Sequence, residues 1–318
     1  MKKFLTKRNE IIIIRNYVFK AIDEFMALNR FIEVSPPILT TCVSEIACVG
    51  GSKQIIVNYF GNSIYLSQSG QLYLEMFIPP FESVYCISPT FREEKTTLLC
   101  DHLTEFWMCE VESSNYTFEE IIKLSINLIK VIIRKLIDNC TVHLNNLKVD
   151  IKKLEKIYEN EIPVITYSEA ITILKNNHIS IKWGESMSDE NEYFITRYFK
   201  DFPVVIKNYP KEISSFYKPE NPANVNEALC FDIISPNNKK EIIGGSSREL
   251  NTEKIKEIIL KEKEDINKYK WYINHIEKYK IPHAGFGLGI ERLLYWICNL
   301  DDISLTIPFP RTETDYTP

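Results

Sequence analysis

The chain has 318 residues, 45% hydrophobic and 25% charged, which is enough for one large globular core or a core carrying an insertion. Its net charge of −5 carries no overall signal for nucleic acid, although it does not exclude a local basic face. The eight cysteines include no Cys-x-x-Cys pair and no zinc spacing with histidine, so they read as reduced, packed residues of a cytoplasmic protein. The apolar run Ile11–Ile14 ends at Arg15, which is too short for a signal peptide, and no stretch approaches the length of a membrane span.

Asn9–Asn29 has helical spacing, with Ile13, Tyr17, Ala21 and Phe25 stepping by four and Val18, Ile22 and Leu28 beside them. Arg30–Thr40 is extended, because Pro36 and Pro37 exclude helix. A loop over Thr41–Ser52 carries Ser44, Glu45, Gly50 and Gly51. Lys53–Phe60 and Ser63–Ser67 flank a turn at Gly61-Asn62 and predict a hairpin. Gln68–Met76 opens a helix. Val84–Arg92 and His102–Glu112 read as two strands joined by a long polar connection over Glu93–Asp101. Phe118–Cys140 is a long amphipathic helix, Val149–His178 is mostly helical and Ile179–Glu192 irregular. Strands follow at Asp201–Tyr209, Leu229–Ile234 and Glu241–Ser246, then a charged helical stretch at Thr252–Lys280. Ala284–Leu294 is a glycine-interrupted strand running into an apolar helix. No repeat or linker divides the chain, so 1–318 reads as one α+β domain with a helical insertion near 141–200.

Two stretches carry the chemistry. The hairpin puts Arg92, His102, Glu105, Phe106, Glu110 and Glu112 together, an arrangement that serves either a ligand or an ordinary solvated hairpin. The C-terminal stretch lacks the third glycine of a dinucleotide fingerprint and no strand–helix–strand unit follows it. Phe91, Arg92 and Glu94, then Gly287, Gly289, Glu291 and Arg292 about 200 residues later, resemble motifs 2 and 3 of class II aminoacyl-tRNA synthetases. The helix and proline-ended strand of 9–39 are similar to motif 1, the dimer element.

The resemblance extends over the chain and is specific to the asparaginyl branch: LSQSGQLYLE at 66–75, SPTFREE at 88–94, HLTEFWM at 102–108, EIIGGSSRE at 241–249 and PHAGFGLGIERLL at 282–294. It implies a class II synthetase-like antiparallel sheet of about six strands flanked by helices, working as a homodimer on ATP with Mg²⁺. The oligonucleotide-binding barrel that precedes motif 1 in that branch has no room here, since the first helix begins within ten residues of Met1.

By the same resemblance Arg92 binds the α-phosphate, Arg292 covers the adenine and reaches the γ-phosphate, Phe106 stacks on the other face, Glu94 reads the adenine edge, and His102 approaches the terminal phosphates. Asp232 and Glu241 would hold Mg²⁺, a turn-flanking charge pair being the alternative. For the amino acid, Gln71 contacts the α-amino group or carboxylate, Arg248 donates to a side-chain amide oxygen and Glu110 accepts from its nitrogen. The aspartyl branch has a lysine where Leu74 stands, so a buried aspartate side chain would lack its cation and a neutral amide suits the pocket better.

Three positions depart from the pattern. The basic residue before the histidine is Asp101, after Thr96–Cys100; the family's Glu-Gly-Gly is Val49-Gly50-Gly51, leaving Glu45 as the substitute carboxylate; and Phe-Tyr-Met is Phe216-Tyr217-Lys218. The expected activity is therefore ATP-dependent formation of asparaginyl-adenylate, with transfer to an acceptor other than tRNA, such as a small amine, ammonia or a carrier. An archaeal-type asparagine synthetase acting on aspartate, a truncated asparaginyl-tRNA synthetase and a non-catalytic regulator are the alternatives.

Overall fold

The computed structural model describes residues 2–42, 53–93 and 102–314. Helix α1 (Lys2–Leu28) leads to the short strands β1 (Ile32–Glu33) and β2 (Leu39–Thr40). The hairpin β3 (Ile56–Tyr59) and β4 (Asn62–Leu66) turns at Phe60 and Gly61, both at positive φ, one residue earlier than the spacing predicts. Helices α2 (Gln71–Glu75) and α3 (Ile78–Phe81) precede the long hairpin β5 (Ser83–Phe91) and β6 (Glu105–Ser113). Helix α4 (Phe118–Asn146) starts at a capping box in which Thr117 and Glu120 satisfy each other's backbone N–H.

The region expected to be a helical insertion is mixed. It holds α5 (Ile151–Glu159), strand β7 (Val164–Thr166), α6 (Tyr167–Asn176) and α7 (Asp189–Tyr198). Strand β7 escapes the sequence because its three residues run straight into the Thr166–Glu169 capping box of α6. Strand β8 (Val204–Lys207) is followed by β9 (Glu220–Asn221), β10 (Asn224–Ala228), β11 (Cys230–Ile234) and β12 (Glu241–Ser247). The charged stretch at 252–280 is two helices, α8 (Thr252–Lys261) and α9 (Lys270–Tyr279), broken where Lys263 takes positive φ. Strand β13 (Ala284–Gly289) passes into α10 (Ile290–Ile297).

Among the described residues eight strands form one sheet, in the order β1-β5-β6-β13-β12-β11-β8-β7. The six from β5 to β8 are antiparallel, matching the expected core; β1 and β7 add parallel edges. One face packs on α1 and α4 through Cys109, Val111, Phe286, Leu288, Ile243 and Ile233. Alternation sends Met108, Glu110, Glu112 and the glycines of β13 to the opposite face. In α1 the buried stripe is Ile11, Ile14, Val18, Ile22 and Met26; Ile13 and Leu28, expected on that stripe, are exposed.

Candidate active site

Register explains why the second face is a trough. Glu112 of β6 lies opposite Gly285, which lies opposite Ser246; one row along, Glu110 faces Gly287, then Gly244, then Asp232. A Cβ on Gly285 would sit 2.4 Å from Glu112 Oε1, and one on Gly287 would sit 2.8 Å from Met108 Cε. The glycines are therefore a floor, and the long side chains on either side fold across it.

Two adjoining cavities occupy this trough, of about 150 Å³ and about 330 Å³, with Arg92, Met108, Glu241 and Gly287 in the walls of both. The smaller also holds His102, Phe106 and Arg292; the larger holds Gln71, Glu110, Asp232 and Arg248. The structure thus brings together every expected site residue that it describes except Leu74. Glu94 and Glu45 lie outside the described residues, as do Val49 and Asp101.

Leu74 is fully buried in a separate cluster with Ile78, Val84 and Cys86, and lines neither cavity. Gln71 and Glu75, four apart, share one face of α2; Leu74 is turned about 100° from Glu75, toward β5.

At the smaller end, the Arg92 guanidinium lies 5.4 Å from the Phe106 ring centroid, and its buried Nε has no partner among the described residues. A buried, unsatisfied guanidinium N–H is costly unless an anion takes it. Arg292 reaches Glu241 O at 3.4 Å and His102 Nε2 at 3.5 Å. Next to Arg292, Glu291 is locked by Arg15 at 2.6 Å and by the Trp107 N–H at 2.8 Å.

Asp232 and Glu241 converge over bare backbone: a Cβ on Gly244 would lie 3.4 Å from Asp232 Oδ1 and 2.6 Å from Glu241 Oε1. Burial, then the Glu241 charge, push the Asp232 carboxyl up to about 8. Two hard oxygen donors that repel each other fit a divalent cation such as Mg²⁺. Glu192 of α7 faces the same pair; burial, then Glu241 and Asp232, push its carboxyl up to about 8. Nothing in its local sequence marks it, because its neighbours here come from β11 and β12.

At the larger end, Glu110 accepts from Gly70 N at 2.6 Å and from Ser69 Oγ, which ties the start of α2 to β6. Burial raises its carboxyl above the usual range against these bonds. Arg248 is committed more fully than the sequence indicates. Its Nε donates to both Glu112 oxygens at 3.1 and 3.0 Å, its Nη2 to Glu112 and its Nη1 to Ser246 Oγ. Burial works against its charge, and Glu112 more than offsets that. One N–H on each terminal nitrogen is left for a ligand. Lys218 lines the same cavity, and its charge offsets part of the rise that burial and Glu241 impose on the Asp232 carboxyl.

Residues 2–313 match the family of class II tRNA synthetases (D, K and N). The asparagine–tRNA ligase of Koribacter versatilis (strain Ellin345) is 37% identical over 308 residues, covering 95% of this chain and 68% of that protein. The crystal structure of asparaginyl-tRNA synthetase from Pyrococcus horikoshii, complexed with asparaginyl-adenylate, superposes with a TM-score of 0.91 at 34% identity, over 98% of this chain and 70% of that one. The asparaginyl-tRNA synthetase of Entamoeba histolytica, at 23% identity and a TM-score of 0.83 over 98% of this chain and 69% of that one, shares the fold.

Proposed function

The chain belongs to the class II tRNA synthetases of the D, K and N group, and from that membership we propose that it activates asparagine with ATP as asparaginyl-adenylate. The observation that carries this is the single trough with Arg92 and Arg292 at one end and the Arg248–Glu112–Glu110 pocket at the other.

In this reading Arg92 and Arg292 bind the triphosphate, and Phe106 holds the adenine. An asparagine α-carboxylate oxygen attacks the α-phosphorus, the bond to pyrophosphate breaks, and pyrophosphate leaves. Arg92 faces the negative charge that builds on the α-phosphate, which is where a fixed cation accelerates the step. No covalent nucleophile is needed. Asp232 and Glu241 would hold Mg²⁺, which when bound neutralises phosphate charge. Arg248 would offer its spare N–H groups to the amide oxygen, and Glu110 would accept from the amide nitrogen.

For the acceptor, the comparisons favour tRNA, the substrate named for the relatives. One sequence feature favours a small amine or carrier instead: Asp101 and the apolar Leu98–Leu99 stand where a basic loop would guide the acceptor end. Amino-acid-dependent ATP–pyrophosphate exchange tests the first step. Radiolabelled asparagine with total tRNA, then with amines, tests the second. Exchange that does not require asparagine overturns the reading.

A further inference from the structure

Behind the Arg248 pocket, α2, β6, α9 and the segment entering β13 converge on Glu75, Glu112, Arg248, Tyr272 and His283, all buried. Glu75, Glu112 and His283 present ligand atoms within 4.8 Å of one another, a spacing that would suit a metal ion. The protein supplies the positive charge itself: Arg248 forks onto Glu112 and its Nε lies 3.9 Å from Glu75.

Glu75 accepts from Gln71 Nε2 at 3.0 Å and from the Tyr272 hydroxyl at 2.8 Å, and meets His283 Nε2 at 3.2 Å. On its other side, His283 Nδ1 lies 2.7 Å from the Ile281 carbonyl. A carbonyl only accepts, so Nδ1 carries a proton. An ionised carboxylate also only accepts, so Nε2 must carry one too. The ring that satisfies both contacts is an imidazolium.

We propose that His283 is a positioning residue: its imidazolium neutralises Glu75, and so keeps Gln71 and Arg248 aimed into the amino-acid pocket. With His283 charged, two cations and two carboxylates cancel. Without that proton, Glu75 carries an unbalanced charge beside Arg248 and competes with Glu112 and the substrate amide for the guanidinium. The titration directions agree: burial opposes the charge of both partners, and their contact reverses it, holding His283 above and Glu75 below the ordinary values. The other titratable groups around His283 are Glu112, His275, Tyr272 through Glu75 and, at the rim, Tyr279 and Lys280, with Arg248 beyond the two carboxylates.

This inference rests on the asparagine-activating reading, and one set of assays separates the two. His283→Gln keeps a donor for Glu75 but removes the charge. The KM for asparagine in pyrophosphate exchange should rise about tenfold, the scale of one charged hydrogen bond, while the KM for ATP stays the same. The variant-to-wild-type ratio of asparagine KM cancels the substrate's own titration. It should fall toward one as pH rises through the raised His283 value, because the wild type then loses the same proton. Tyr272→Phe removes a hydrogen bond without charge, so its ratio should not vary with pH. A His283→Gln ratio that is flat with pH, or one throughout, overturns the proposal. If that variant does not fold, nitrogen NMR of the wild-type imidazoles serves: bound asparagine should raise the His283 pKa by linkage, and an unmoved pKa overturns the proposal. Absence of asparagine-dependent exchange in the wild type overturns the functional reading instead.

Discussion

Arg15, in the middle of α1, donates to Glu291 Oε1 at 2.6 Å, and Glu291 directly precedes Arg292. Both partners are buried, and the second Glu291 oxygen takes the Trp107 N–H of β6. The first helix of the chain is thereby fastened to the first turn of α10 and to the strand that carries Phe106. Arg292 is positioned from behind by a contact spanning almost the whole sequence.

Arg15→Met should therefore destabilise the protein by about 3 kcal/mol, because it strands a buried carboxylate. Denaturant unfolding measures this. In the double variant Arg15→Met/Glu291→Gln the loss should be smaller than the sum of the two single losses, since no charge is left unpaired. Additive losses would show that the pair does not act as a unit.

Arg92→Ala should lower pyrophosphate exchange by at least about 10²-fold, the scale of one lost charge-stabilising donor. The buried, unsatisfied Nε of Arg92 makes this the most direct test of the phosphate end. Near-normal exchange would remove Arg92 from the chemistry.

How much of this was legible beforehand follows from where each signal lies. The β5–β6 hairpin and the β13–α10 turn were readable because their functional residues sit on two-residue alternation or in a contiguous glycine pattern. The antiparallel core and the convergence of Arg92, Phe106, Asp232, Glu241 and Arg292 follow from those patterns and the family resemblance. Glu75, Tyr272 and His283 receive no role from the sequence, and Glu112 only a place on the hairpin, because each acquires its role from a partner on another element. Leu74 shows the converse limit. Its place in a motif pointed to the substrate, but its angle on α2 turns it into the core.

Dimerisation through the 9–39 region should appear as a homodimer mass in light scattering at micromolar protein. Leu28, Ile32, Ile38 and Leu39 are all exposed there, an apolar surface that a second copy would cover. Ile32→Asp should shift the mass toward the monomer. A wild-type monomer at that concentration would sink the expectation.

Asp232→Asn should raise the Mg²⁺ concentration needed for half-maximal exchange by about tenfold, the low end for a lost metal partner. Direct Mn²⁺ binding, followed by electron paramagnetic resonance with the ATP analogue present, should weaken in parallel. Unchanged binding would mean that Asp232 and Glu241 are held together for another reason.

The last expectation concerns the amino acid. Asparagine should be activated in preference to aspartate, and the carboxylates already in the pocket decide this. Glu110 and Glu112 both line it, and burial raises both, Glu112 to about 7. Arg248 already forks onto Glu112, so a substrate carboxylate would add a negative charge without adding a cation. An amide avoids the conflict, with its oxygen on the spare N–H groups of Arg248 and its nitrogen on Glu110. Sites built around a donor reject analogues lacking it by up to about 10⁴-fold. Introducing a cation at Leu74 should not reverse the preference. Leu74→Lys would bury an ammonium among Ile78, Val84 and Cys86, so the expected result is lost stability rather than aspartate use. Glu110→Gln is the more informative change: it removes one carboxylate and should narrow the asparagine-to-aspartate ratio of kcat/KM. Faster exchange with aspartate than with asparagine by the wild-type protein would overturn the amide assignment.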